Sequence, residues 1–84
     1  MTDKQFTFQD LKEILVKRIG LQENQIIEDR AASFSDMGLD SLALVEIQLE
    51  VQQRYGFTIN DDDAQQIVTV GQAIDYTNRR LQEH

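Results

Sequence analysis

Between Phe34 and Leu42 the chain reads Phe-Ser-Asp-Met-Gly-Leu-Asp-Ser-Leu, a glycine-containing turn that delivers Ser41 to the first turn of a helix. The first amides of a helix lack intrahelical partners, and the dipole is positive at that end. A phosphate ester on Ser41 Oγ is therefore favoured there. A purely structural reading competes, because Asp40 and Ser41 are both good helix N-caps. Other chemistry has few supports. The chain has no cysteine, and its one histidine is the last residue, His84. That leaves Ser41 without the base a hydrolytic serine needs and removes any thiol nucleophile or cysteine-based zinc site. Asp61-Asp62-Asp63 fails as a calcium loop, since Gln66 and Gln72 stand where the sixth-position glycine and the twelfth-position glutamate belong. An acidic helix start is the better account.

The elements that must position Ser41 read as helical almost throughout. Leu11, Ile14, Leu15 and Ile19 mark one face of a helix over about Phe8–Ile19, with Thr7 as N-cap, Asp10 in its first turn and Gly20 as its stop. Residues 20–40 form a long connection, too apolar for a flexible linker, and predict an ordered loop with a short helical turn. A second helix starts at Asp40 or Ser41 and ends near Tyr55. Leu44, Ile47 and Val51 make one apolar stripe on it, and Leu42, Val45 and Leu49 make another. A surface helix buries one stripe. Glu46 and Glu50 flank the second, which is therefore assigned to the exposed or pocket-facing side.

A short third helix follows from Asp61 to about Ile67. Thr69-x-x-Gln72 is a capping box opening a last helix, whose inward face is Ala73, Ile74, Thr77 and Leu81. Phe57-Thr58-Ile59 alternates but is too short for a sheet. The expected architecture is an all-α, small four-helix bundle: three main helices, one short helix, and a long loop between the first two.

The 84 residues carry a net charge of −7, with 40% hydrophobic and 27% charged residues. The acidity is uneven. From Ala31 to Asn78 the only basic residue is Arg54, against eight carboxylates: Asp36, Asp40, Glu46, Glu50, Asp61, Asp62, Asp63 and Asp75. Such a field repels nucleic acid and anionic lipid and attracts basic protein patches. The longest apolar run, Leu42–Val45, is far too short to span a membrane. A cytoplasmic protein of one domain, residues 1–84, monomeric on its own, is expected.

Gly38-Leu39-Asp40-Ser41-Leu42, preceded by Phe34-x-Asp36 and followed by Val45-Glu46, resembles the attachment site of an acyl carrier protein. The resemblance runs on through Tyr55-Gly56-Phe57-x-Ile59 and Asp61-Asp62-Asp63-Ala64 to Val68-Thr69-Val70-x-x-Ala73-Ile74-Asp75-Tyr76. Ser41-Leu42-Ala43-Leu44-Val45-Glu46 and Tyr55-Gly56 are most similar to the discrete carriers of aromatic (type II) polyketide synthases. Ile67-Val68-Thr69-Val70 and Ala73-Ile74-Asp75-Tyr76 are similar to fatty-acid carriers. Val70 departs from the proline common in polyketide carriers, and Ala43 from the aspartate common in fatty-acid ones.

The resemblance implies carriage rather than catalysis. Ser41, between Asp40 and Leu42, would take 4′-phosphopantetheine from coenzyme A, and the thiol of that arm would hold acyl groups as thioesters. Asp36, Glu46, Glu50 and Asp40 would face basic partner residues, and Leu42, Val45 and Leu49 would give apolar contact or border a pocket. Phe34, Met37, Ile59, Ala64 and Ile67 are further candidates for that border. Expected partners are a phosphopantetheinyl transferase, a ketosynthase with its chain-length factor, a malonyl transferase and ketoreductase-type tailoring enzymes. The chain reads as free-standing, which favours a type II system. A fatty-acid carrier, and an acidic helical interaction domain with Ser41 as a mere cap, stand as alternatives.

Overall fold

The computed structural model describes residues 5–83; His84, for which the sequence offers no role, lies outside them. The bundle is built from four helices: α1 (Phe8–Ile14), α2 (Ser41–Tyr55), α3 (Asp61–Gln66) and α4 (Val70–Gln82). Each start has a local chemical cause. The Thr7 hydroxyl accepts from the Asp10 amide while the Asp10 carboxylate accepts from the Thr7 amide. Thr69 and Gln72 make the same reciprocal pair, and Gln72 Oε1 also takes the Val68 amide at 2.9 Å. Asn60 caps α3 through the Asp63 amide at 2.8 Å. These boxes satisfy amides that no helix can pair internally.

The first helix reaches Ile19, as its apolar spacing predicts, but not as a uniform α-helix. Leu15–Ile19 widens into a π turn. The Leu15 carbonyl accepts from both Gly20 N–H at 3.0 Å and Leu21 N–H at 2.9 Å, so the chain leaves the helix from a fully buried residue. This turn packs against α2.

The core gathers Leu11, Ile14 and Leu15 of α1, Ile47 and Val51 of α2, and Val70, Ala73, Ile74 and Tyr76 of α4. Phe6 joins it from the position before the α1 cap, where an apolar residue staples the incoming chain to the first turns. Its backbone is bracketed by Asn78, which accepts from Phe6 N–H at 2.6 Å and donates to Phe6 carbonyl at 2.9 Å.

The long connection is ordered, and it holds two short 3-10 turns, Glu23–Gln25 and Phe34–Met37, where the sequence predicted one. It is sewn to the head of α4. Phe34 N–H meets Val68 carbonyl at 3.1 Å, Val70 N–H meets Ala32 carbonyl at 3.0 Å, and Gly71 N–H meets Arg30 carbonyl at 2.9 Å. Ser33 and Thr69 form an isolated antiparallel bridge, and no strand develops among the described residues. Gly71 permits the approach. A Cβ there would stand 3.0 Å from the Arg30 carbonyl oxygen.

Candidate functional site

Ser41 is placed by four successive devices. The 3-10 turn Phe34–Met37 is capped by Ser33, whose hydroxyl accepts from the Asp36 amide while Asp36 accepts from the Ser33 amide, both at 3.2 Å. Phe34 and Met37 bury beneath it. Gly38 then reverses the chain at φ 82°, a left-handed conformation costly for any other residue type except asparagine or aspartate. Leu39, only 7% exposed, pins the chain to the core two residues before the serine. Finally Asp40 caps α2, its Oδ1 accepting from the Ala43 amide at 2.9 Å. Ser41 is therefore the first helical residue, exposed, with its capping work done by its neighbour.

That arrangement fits a phosphate ester. The hydroxyl is reachable, the amides of Ser41 and Leu42 lie in the unpaired first turn, and the helix dipole is positive there. Among the described residues no side chain is hydrogen-bonded to the Ser41 hydroxyl to activate it as a nucleophile.

The residues nominated with Ser41 fall into two groups. Leu42, Val45 and Leu49 are 68%, 47% and 48% exposed and form an unpartnered apolar stripe running from the serine down α2. Asp36, Asp40 and Glu46 are exposed beside it. Glu50 differs. Its side chain is 17% exposed and held by Arg54 at 2.7 Å and by Arg18, from the π turn, at 3.5 Å. Arg54 also binds Glu13 at 3.0 Å. Its two carboxylate partners, Glu50 foremost, raise the Arg54 pKa further, and the hydrogen bond from Arg54 with the charge of Lys17 lowers that of Glu13. Sequence reading did not single out Arg18. Glu50 and Arg54 stand four residues apart on α2, a spacing that pairs them, whereas Arg18 and Glu13 join the network only through packing of the chain around α2.

The pocket candidates separate likewise. Phe34, Ile59 and Ile67 line an apolar cleft between α2 and α4, together with Leu44, Ile47, Gln48, Val51, Ala73 and Thr77. Met37, Leu42, Val45, Leu49 and Ala64 do not line it. The cleft offers about 20 Å³, room for a single water. Tyr76 closes one side of the bundle, donating to Asp63 of α3 at 2.8 Å and accepting from Arg80 at 2.7 Å. Burial first, then the Asp63 carboxylate, push its phenol up. No described helix is long and apolar enough to cross a membrane.

The fold is a small helical bundle that presents an exposed serine at the start of α2. The family model for the phosphopantetheine attachment site matches residues 9–77. Among solved structures, the chain is 32% identical to the octanoyl acyl carrier protein from the actinorhodin polyketide synthase of Streptomyces coelicolor, at a TM-score of 0.84 over 98% of each chain. The 3,5-dioxohexyl form and the holo form of the actinorhodin carrier match at 0.81 and 0.80, with the same identity and coverage. The chain belongs to the phosphopantetheine attachment site family and is an acyl carrier protein, with 4′-phosphopantetheine as its prosthetic group.

Proposed function

We propose that this carrier serves a type II polyketide synthase, holding intermediates as thioesters on 4′-phosphopantetheine joined through phosphate to Ser41. The observation that carries the site is the division of labour at the head of α2. Asp40 caps the helix, which leaves the Ser41 hydroxyl exposed and without a structural task. A transferase would join the phosphopantetheine phosphate of coenzyme A to Ser41 Oγ. The diphosphate bond breaks, adenosine 3′,5′-bisphosphate leaves, and the serine proton passes to the enzyme or solvent. The likeness to the actinorhodin carriers supports the polyketide pathway.

Asp36, Asp40 and Glu46 then steer basic enzyme surfaces towards Ser41, and Leu42, Val45 and Leu49 supply the apolar contact. Electrostatic docking of this kind gives fast, short-lived encounters, which suits a shuttle visiting a malonyl transferase, a ketosynthase with its chain-length factor and a ketoreductase in turn. A cytoplasmic location follows from those partners.

The test is reconstitution. The holo protein, loaded with malonyl groups, is offered to a type II polyketide ketosynthase and, separately, to a fatty-acid ketosynthase. Condensation products accumulating on the carrier mainly with the polyketide enzyme support the proposal. Equal or better turnover with the fatty-acid enzyme assigns the chain to fatty-acid synthesis instead.

A further inference from the structure

The charge on the α2 face changes sign along its length. At the serine end, Asp36, Asp40 and Glu46 are exposed, and none is in an ion pair among the described residues. One turn beyond Glu46 stands a connected group of Lys17, Arg18 and Arg54 with Glu13 and Glu50, in which three cations meet two carboxylates. Its surface is more positive than that count. The Glu50 side chain is 17% exposed, whereas the Arg18 side chain paired with it at 3.5 Å is 58% exposed. A basic enzyme patch sliding along α2 is attracted over the first turns and meets an outward-facing cation at the π turn.

We propose that Arg18 sets the position at which a basic partner docks along α2, acting as an electrostatic stop that keeps the enzyme's reacting centre over Ser41. This rests on the assignment of Ser41 as the modified residue and of the α2 face as the docking surface. Arg18 pairs with Glu50, nine residues beyond Ser41 along α2, and is a positioning residue. The apolar stripe cannot do this work, because Leu42, Val45 and Leu49 repeat along the helix with little to distinguish one register from the next. Arg18 belongs to the π turn, which packs against α2.

Affinity and productive geometry should therefore separate. Arg18→Glu extends the acidic surface, so at low ionic strength the KM for carrier in phosphopantetheine transfer falls by roughly two- to three-fold. Misregistered encounters lower kcat at the same time, by about three- to ten-fold, since a small displacement of reacting atoms is costly. Both effects fade in high salt.

The experiment is steady-state transfer from coenzyme A by a broad-specificity phosphopantetheinyl transferase to the parent, Arg18→Glu, Arg18→Gln and Arg79→Glu, with folding checked by circular dichroism. Arg79 is exposed on α4, and its reversal changes net charge equally without touching the α2 flank. The expected result is a fall in both KM and kcat for Arg18→Glu, an intermediate result for the milder Arg18→Gln, and an unchanged kcat for Arg79→Glu. Equal behaviour of Arg18→Glu and Arg79→Glu, an unchanged kcat, or a raised KM for Arg18→Glu overturns the proposal. Failure of the parent to accept the group would instead remove the Ser41 assignment beneath it.

Discussion

Asp40 holds two roles that substitutions can pull apart. Its Oδ1 accepts the Ala43 amide at 2.9 Å, and its charge sits at the positive end of α2, next to Ser41. Asp40→Ala loses the cap, typically about 1 kcal/mol, and the charge–dipole attraction, about 0.5 kcal/mol more. Asparagine caps as well as aspartate, so Asp40→Asn loses only the second contribution. In a domain of this size 1 kcal/mol moves Tm by about 4–8 °C. Asp40→Ala should therefore melt roughly 6–12 °C below the parent and Asp40→Asn roughly 2–4 °C below it. Both remove the same carboxylate from beside Ser41, so both should slow phosphopantetheine transfer to a similar extent at low salt. Thermal melts by circular dichroism beside transfer rates by mass spectrometry read the two effects separately. Equal melting of the two variants would refute the capping role. A parent-like transfer rate for Asp40→Asn would refute the steering role.

Other consequences can be checked in the same way. Gly71→Ala gains up to about 1 kcal/mol of helix propensity. The new Cβ, 3.0 Å from the Arg30 oxygen, disturbs the Arg30–Gly71 and Ala32–Val70 bonds, roughly 0.5–1.5 kcal/mol each. A net fall in Tm of about 4–8 °C is expected, and a Tm at or above the parent's would show that the loop yields freely. Tyr76→Phe removes the bonds to Asp63 and Arg80, roughly 0.5–1.5 kcal/mol each, and should lower neutral-pH stability by about 1–3 kcal/mol. Because folding raises the Tyr76 pKa, its contribution is whole below about pH 10 and is lost as pH rises through the folded value. The variant should show a shallower alkaline loss, with Tyr55, whose phenol burial also raises, still contributing its share. Parallel alkaline curves for parent and variant would count against this. Association of the holo protein with a ketosynthase should weaken steeply with added salt, and a salt-independent rate would remove the carboxylates from recognition.

The parts of this fold that were readable from sequence are those with local causes. Thr7 with Asp10, and Thr69 with Gln72, cap by contacts three residues apart, so spacing alone locates both helix starts. The two stripes of α2 follow from periodicity, and the structure buries Ile47 and Val51 while exposing Leu42, Val45 and Leu49. Ser41 stood out because glycine, aspartate and serine precede an apolar run. What escaped depends on residues far apart in the chain. The stitching of residues 30–34 to residues 68–71 spans about forty positions and leaves no periodic trace. The π turn depends on how Leu15 leaves the helix against α2. Glu50 lies four residues before Arg54, a local pairing, but its second tie, to Arg18, is set by packing and leaves no trace in spacing.

Intact-protein mass decides whether Ser41 carries the prosthetic group. Parent and Ser41→Ala are incubated with coenzyme A and a phosphopantetheinyl transferase, with the fold of each confirmed by circular dichroism. A gain of one phosphopantetheine in the parent, none in the variant, and little change in stability are expected, because Asp40 rather than Ser41 caps α2. A folded parent that gains nothing, or a Ser41→Ala variant that still gains the group, would contradict the assignment of Ser41.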